Sequence, residues 1–283
     1  MPIDTKRIQG PEISQSPLLY REAEEKVPLI SETGKRRDGR TPQEIRPVFL
    51  KAGVVSQARG SAYIEARNTK VLCAVYGPRE VPRREGFSMS GQLRCEFKFA
   101  SFSCRYRRSH VTDSAERELG LQVQQALEPA VCLHKIPKSQ VDVFVTVLEN
   151  DGSALAAAIT CASVAVANAG IEMYDIVIGC TVRQAGKSVL LDPTEVEEYH
   201  GLCEKEPSHA SVTAGVLPSL NQVSGLVQKG QLKCDDSIKA LQQCVDGSQR
   251  MYPVIYECLK KSIKKLKPPP TPDSSSASLA SPT

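Results

Sequence analysis

Asn68-Thr69-Lys70-Val71-Leu72-Cys73-Ala74-Val75-Tyr76-Gly77-Pro78-Arg79-Glu80 is the stretch on which the fold turns. Thr69–Tyr76 reads as a strand built on the apolar run Val71–Val75, and Gly77-Pro78-Arg79 ends it. Just upstream, Ser61–Ala66 reads as a second strand. Arg67-Asn68 between the two suits a tight hairpin turn, because Asn tolerates positive φ. Val48–Val55 is a further strand, and residues 79–90 form a basic loop with Arg79, Arg83 and Arg84.

Working outward toward the C-terminus, Gln92–Phe99 alternates. Leu93, Cys95, Phe97 and Phe99 fall on one face and Arg94, Glu96 and Lys98 on the other, the period of a half-buried strand. A basic loop, Arg105-Tyr106-Arg107-Arg108, follows. Ser114–Leu133 has apolar residues at helical spacing, with Asp113 or Ser114 as cap and Pro129 imposing a bend or an early end. Gln140–Leu148 alternates again. Ser153–Ala169 is an Ala-rich helix closed by Gly170, and its small side chains allow close packing on a sheet.

The second half repeats this texture. Strands are expected at Asp175–Cys180, Ser188–Leu191, Ser211–Leu217 and Val223–Val227. A long helix starts near Asp235-Asp236 and is expected to kink at Pro253. The fold class is α+β: two βα subdomains, residues 45–170 and 171–266, with mixed sheets and packed helices. Residues 1–44 read as an extended arm and 267–283 as a disordered tail rich in Pro and Ser.

Composition excludes several classes. The 283 residues are 41% hydrophobic with a net charge of +4, ordinary for a globular protein and only mildly basic. The ten cysteines form no CxxC pair and no zinc-type set with His. They are expected to be reduced, mostly buried thiols, and no metal is expected. A phosphate-binding Walker sequence and a spaced-glycine nucleotide fingerprint are both missing, so no cofactor is expected. No apolar run reaches membrane-spanning length and the first residues lack a signal-peptide core, so a soluble intracellular protein is expected. Aromatics make up 5% and Trp is absent, which argues against a stacked-aromatic platform for single strands. His110, His134, His200 and His209 read as surface residues with no triad partner.

Two charge runs stay open at this point. Lys35–Arg40 reads as a solvated run or as a contact for RNA or a protein partner. Glu195, Glu197 and Glu198 read as a solvated acidic loop, with a remnant metal site as the alternative.

Several ordered blocks resemble the RNase PH family, especially its exosome ring branch. They are Asp38-Gly39-Arg40, Glu44-Ile45-Arg46-Pro47, Gly60-Ser61-Ala62, residues 68–80, Glu116-Arg117-Glu118-Leu119, Ala126-Leu127-Glu128, Asp151-Gly152-Ser153-Ala154 and Leu190-Leu191-Asp192-Pro193-Thr194. The resemblance implies the RNase PH-type fold. It also implies a place in a hexameric ring around a channel for single-stranded RNA, with other RNase PH-like subunits, S1/KH cap subunits and associated exoribonucleases as partners. Roles in 3′ processing and decay of rRNA, mRNA and snRNA follow from it, in nucleus, nucleolus and cytoplasm.

Active members of that family cleave RNA from its 3′ end with phosphate. They carry an Arg after the Asp-Gly turn, where this chain has Leu155. They place Asp residues at positions matching Glu198 and Ser211. The resemblance therefore implies a non-catalytic ring subunit, with no catalytic and no metal residues; an active phosphate-dependent exoribonuclease is the alternative. Ser101–Arg108 resembles the family's Pro-Phe-Ser segment and its following basic pair, which meets RNA phosphates. Arg94, Lys98, Arg105, Arg107 and Arg108 are accordingly the candidate RNA-binding residues, with carboxylates of a neighbouring subunit as their alternative partners.

Overall fold

The computed structural model describes residues 29–31, 34–81, 89–186, 188–199 and 209–266. Five strands form a first sheet in the order β1-β2-β3-β5-β4: β1 Val48–Ala52, β2 Gly60–Ala66, β3 Thr69–Glu80, β4 Gln92–Phe99 and β5 Ser139–Glu149. Pairing is antiparallel except between β4 and β5. Those two are parallel neighbours joined through helix α1, Ser114–Leu127, as a parallel pair requires a crossover. Four strands form a second, antiparallel sheet in the order β7-β6-β8-β9: β6 Ile178–Ala185, β7 Ser188–Leu191, β8 His209–Leu217 and β9 Gln222–Gly230. Helices α2 (Ala154–Asn168), α3 (Glu195–Tyr199) and α4 (Cys234–Leu266) complete the fold.

The β2–β3 hairpin forms where the sequence places it, but the positive φ falls on Arg67, at 57°, rather than on Asn68. β3 runs on past Gly77-Pro78 to Glu80, with a register shift between Tyr76 and Arg79. Arg83 and Arg84 lie outside the described residues. α1 stops at Leu127, earlier than the apolar spacing suggests. Pro129 has no N–H to continue the ladder, and Glu128–Ala130 tightens into a 3₁₀ turn. Asp113 is the cap, and Glu116 completes a capping box. Buried Glu116 also accepts from the Phe99 N–H at 3.0 Å, which ties the end of β4 to the start of α1. α4 continues through Pro253 as one helix.

β6 departs most from expectation. It begins at Ile178 and continues through Thr181-Val182-Arg183-Gln184 with every residue buried. Polar side chains inside a doubly covered strand conceal it from a hydrophobic scan.

Helices α1 and α2 each touch both sheets, and one core cluster takes residues from both halves, from Ile64 and Val71 to Val177, Ile178 and Ile255. α2 lies between backbones that come very close. A Cβ on Gly60 of β2 would sit 2.4 Å from the Ala165 carbonyl, and one on Gly179 of β6 would sit 2.3 Å from the Ala156 carbonyl. Glycine on the strands and alanine on the helix are what that spacing demands.

Desolvation pushes the Cys73, Cys95 and Cys161 thiols upward, Cys95 to about 12. Among the described residues no helix is long and apolar enough to cross a membrane.

Candidate functional site

The turn Asp151-Gly152-Ser153 delivers the chain from β5 into α2. Gly152 (φ 85°) and Ser153 (φ 54°) both take left-handed conformations, and the Ser153 side chain gives α2 no cap. Its hydroxyl donates instead to the Pro193 carbonyl at 3.1 Å. The exposed amides of a helix start attract an anion. Here that anion belongs to the chain itself: the Ser153 N–H donates to Oε1 of Glu198 at 2.7 Å. Leu155, one turn-position further, is buried in the core cluster, so no guanidinium reaches the turn from that position.

The acidic run is not a solvated loop. Glu195–Tyr199 forms α3, Glu197 is buried, and its carboxylate accepts from the Thr194 N–H at 2.8 Å at the helix start. Burial pushes the Glu198 carboxyl up. The Ser153 N–H and the charges of Arg46 and Arg183 offset only part of this, so it stays above the ordinary carboxylate range. Arg183 of β6 is buried, and its cross-strand neighbour in β8 is Ser211. Desolvation lowers the Arg183 pKa and the Glu198 charge opposes that. Glu198 therefore faces an amide and two guanidinium charges, all supplied by the same chain.

Two arginines of the Lys35–Arg40 run turn inward, while Lys35 and Arg37 stay exposed. Arg36 is buried and donates to the Pro42 and Leu191 carbonyls at 2.6 and 2.5 Å, and it lies 3.6 Å from Glu197. Arg40 is buried against Asp38 and the Glu44 carbonyl. Arg46 completes the clasp. Its Nη2 and Nε meet the two Asp192 oxygens at 2.7 and 2.9 Å, and its Nη1 reaches Thr69 Oγ1 and the Asp151 carbonyl at 3.0 and 2.8 Å. Burial pushes Asp192 up, but the bond and charge of Arg46, with Arg40 adding, outweigh it and hold the carboxyl below its usual range. The sequence alone gave Arg36, Arg46 and Arg183 no such role; Asp192 and Arg46 stood only as members of recognisable blocks.

The candidate RNA-binding residues are spread along the β4 edge strand and the loop after it. Arg94 pairs with Glu96 at 2.9 Å, and Lys98 donates to the His110 carbonyl at 2.7 Å. Arg105 pairs with Glu195 of α3 at 3.0 Å. Arg108 lies over the Phe99 ring at 4.3 Å. Arg107 is exposed. Among the histidines, His134 stacks on Tyr174. His209 is not a plain surface residue: it opens β8, and both ring nitrogens are shielded from solvent without a partner among the described residues. His200 lies outside the described residues. Among the described residues no group of three or more His, Cys, Asp or Glu is arranged to hold a metal ion.

Residues 44–172 match the model of the 3′ exoribonuclease family, RNase PH, domain 1. The chain is 42% identical over 282 residues to mouse exosome complex component MTR3, covering 94% of this chain and 97% of that one. The chain belongs to the RNase PH family. A second RNase PH relative, exosome complex component Rrp41 of Thermococcus kodakarensis, is 35% identical over 243 residues, 86% of this chain and 95% of its own. The fold matches a chain of the Archaeoglobus fulgidus exosome with RNA bound to its active site at a TM-score of 0.68 and 20% identity, and rice Rrp46 at a TM-score of 0.66 and 23% identity. That archaeal match covers 78% of this chain and 92% of the other. The RNase PH-type α+β fold expected from the sequence is therefore the fold observed.

Proposed function

We propose that this chain is a non-catalytic subunit of an exosome-type ring of RNase PH proteins, supporting 3′–5′ RNA processing and decay without cutting RNA itself. One observation carries it. At the helix start where an active relative would seat phosphate, the family's Arg position is Leu155, buried in the core, while Glu198 accepts from the Ser153 N–H at 2.7 Å. Leu155 supplies no cation there, and Ser211 supplies no carboxylate. A bound dianion would have to expel Glu198 and lie beside Asp192 with no new positive group to offset it.

Ring neighbours, S1/KH cap subunits, associated exoribonucleases and single-stranded RNA are the partners, with nucleus, nucleolus and cytoplasm as compartments. Arg94, Lys98, Arg105, Arg107 and Arg108 contact RNA phosphates. The division at residue 170 falls between α2 and β6, which suits two βα subdomains sharing one core.

Two measurements test this. Purified chain, alone and with ring partners, is incubated with RNA and inorganic phosphate, and no nucleoside diphosphate should be released. Phosphate-stimulated release that disappears in Glu198→Ala would overturn the non-catalytic assignment. Affinity purification from cells should recover RNase PH-like subunits in equal amounts, and their absence would remove the ring.

A further inference from the structure

A cavity of about 230 Å³ lies where β1 and β2 meet α4. Ile45, Val48, Ile64, Met251, Val254 and Ile255 give it apolar walls. Its charged lining residues are Glu44, Arg46 and Arg250. Two of these are matched inside the chain, Arg46 by Asp192 at 2.7 Å and Glu44 by the Thr41 N–H at 3.2 Å. Arg250 is exposed and donates to a neutral group, the Gln43 carbonyl, at 2.9 Å. A cavity of about 150 Å³ accepts a benzene ring, and pockets for drug-sized ligands run to roughly 300–1,000 Å³. The space therefore suits one large apolar side chain, about the size of an indole, and is too small for a nucleotide. A bare nucleobase fits its volume but not its chemistry, because apolar walls leave the base edges without partners.

Val254 is 43% exposed, so the cavity opens onto the outer face of α4. Arg250, Val254, Glu257, Lys261 and Lys264 recur at i, i+4, i+7, i+11 and i+14, which puts them on one face of that helix. All five are exposed, and cations outnumber the single carboxylate. Lys260 beside them adds a further charge, over the Tyr256 ring. The negative end of the helix dipole accounts for lysines in the last turns, but not for Arg250 about four turns earlier.

We infer that this cavity and the basic face beside it dock an acidic segment of a partner protein, which inserts one large apolar side chain between β1 and α4. The inference goes beyond the ring and involves no RNA. Burial of the anchor supplies most of the binding, and the charges set its direction. From Val254 to Lys264 the helix rises about 15 Å, which about five residues of extended chain cover. Acidic residues a few positions from the anchor thus meet Lys261 and Lys264.

The test uses the full chain, isotope-labelled at its methionine methyls and followed by NMR. Of the four methionines, Met251 lines the cavity, and Met251→Leu identifies its signal. The probes are the peptide Trp-Gly-Ser-Asp-Asp-Asp, its reversed sequence, and both with Ala in place of Trp. One of the Trp peptides should shift the Met251 signal with a Kd below about 1 mM, and the Ala peptides should not. Lys261→Glu combined with Lys264→Glu, at exposed positions, should weaken binding about tenfold. Val254→Trp, which fills the mouth, should abolish it; if that variant does not fold, the lysine variant decides.

No shift with either Trp peptide overturns the docking site, as does an equal shift with the Ala peptides or unchanged affinity in the lysine variant. So does oligouridylate moving the same signal, which would make this face an RNA contact. Loss of co-assembly with ring subunits in the lysine variant also overturns it, since the face would then be a ring interface. Co-assembly of the wild-type chain is scored separately, so the ring assignment stands or falls on its own result.

Discussion

Arg46→Met probes the clasp that holds the pocket in shape. The Arg46 side chain is fully buried, and it is bidentate to Asp192 at 2.7 and 2.9 Å. It also donates to Thr69, the Asp151 carbonyl and the Gly152 carbonyl. Methionine fills most of the volume, so little cavity cost is added. What remains is a shielded Asp192 whose nearest cation is Arg40 at 3.6 Å. Removing one partner of a buried pair costs about 3–5 kcal/mol, and we expect about 4 kcal/mol here. At a urea slope of roughly 2–3 kcal/mol per molar, the midpoint should fall by about 1.3–2 M. Asp192→Leu alone should cost a similar amount. The double variant should cost at least about 2 kcal/mol less than the sum, because neither charge is then left alone. A loss below about 1 kcal/mol for Arg46→Met, or strict additivity in the cycle, would refute the clasp as the element that fixes this turn.

Gly179→Ala places a Cβ 2.3 Å from the Ala156 carbonyl, where only backbone could yield, and should cost about 3 kcal/mol in thermal unfolding; an unchanged melting temperature would mean that β6 and α2 are not in contact. Glu198 has its folded pKa raised above 4.5, so the native state holds its proton longer than the unfolded chain, and stability should fall as pH rises from 4.5 through that raised value. Glu198→Gln should abolish that slope, and an identical pH profile in wild type and variant would contradict it. Asp192 has the opposite sign: its pKa is held below 3.8, so its contribution is present above 3.8 and lost as pH drops through the lowered value, a loss that Asp192→Asn should lack. Leu155→Arg should destabilise the protein by about 2 kcal/mol and give no phosphate-dependent cleavage, since Glu198 still holds the helix start; nucleoside diphosphates from that variant would count against the self-filled seat.

Regular elements with clean periods were legible in the sequence. The β2–β3 hairpin, β4, α1 and α2 all stand close to their expected places, because each has an apolar face of one period. β6 was displaced because Thr181, Arg183 and Gln184 are polar residues that the structure buries, so the strand shows no apolar period. The site was half legible. Leu155 and Ser211 stood out only through the register of the RNase PH resemblance. Glu198 could be named, but not its bond to Ser153, which depends on α3 folding back 45 positions along the chain. Arg36 and Arg40 could not be placed for the same reason: a charge run near a chain end suits solvent or a partner equally, and here Asp192 and the Leu191 carbonyl, some 150 positions away, take those two charges inside.

The glycines that flank α2 have a mechanical outcome. With β2 and β6 both pressed against one helix at backbone distance, the two sheets cannot swing apart without tearing that helix out. The halves of the chain should therefore melt together. Amide protons along α2 should exchange with solvent only when the whole molecule opens, which makes this helix the natural reporter of global unfolding.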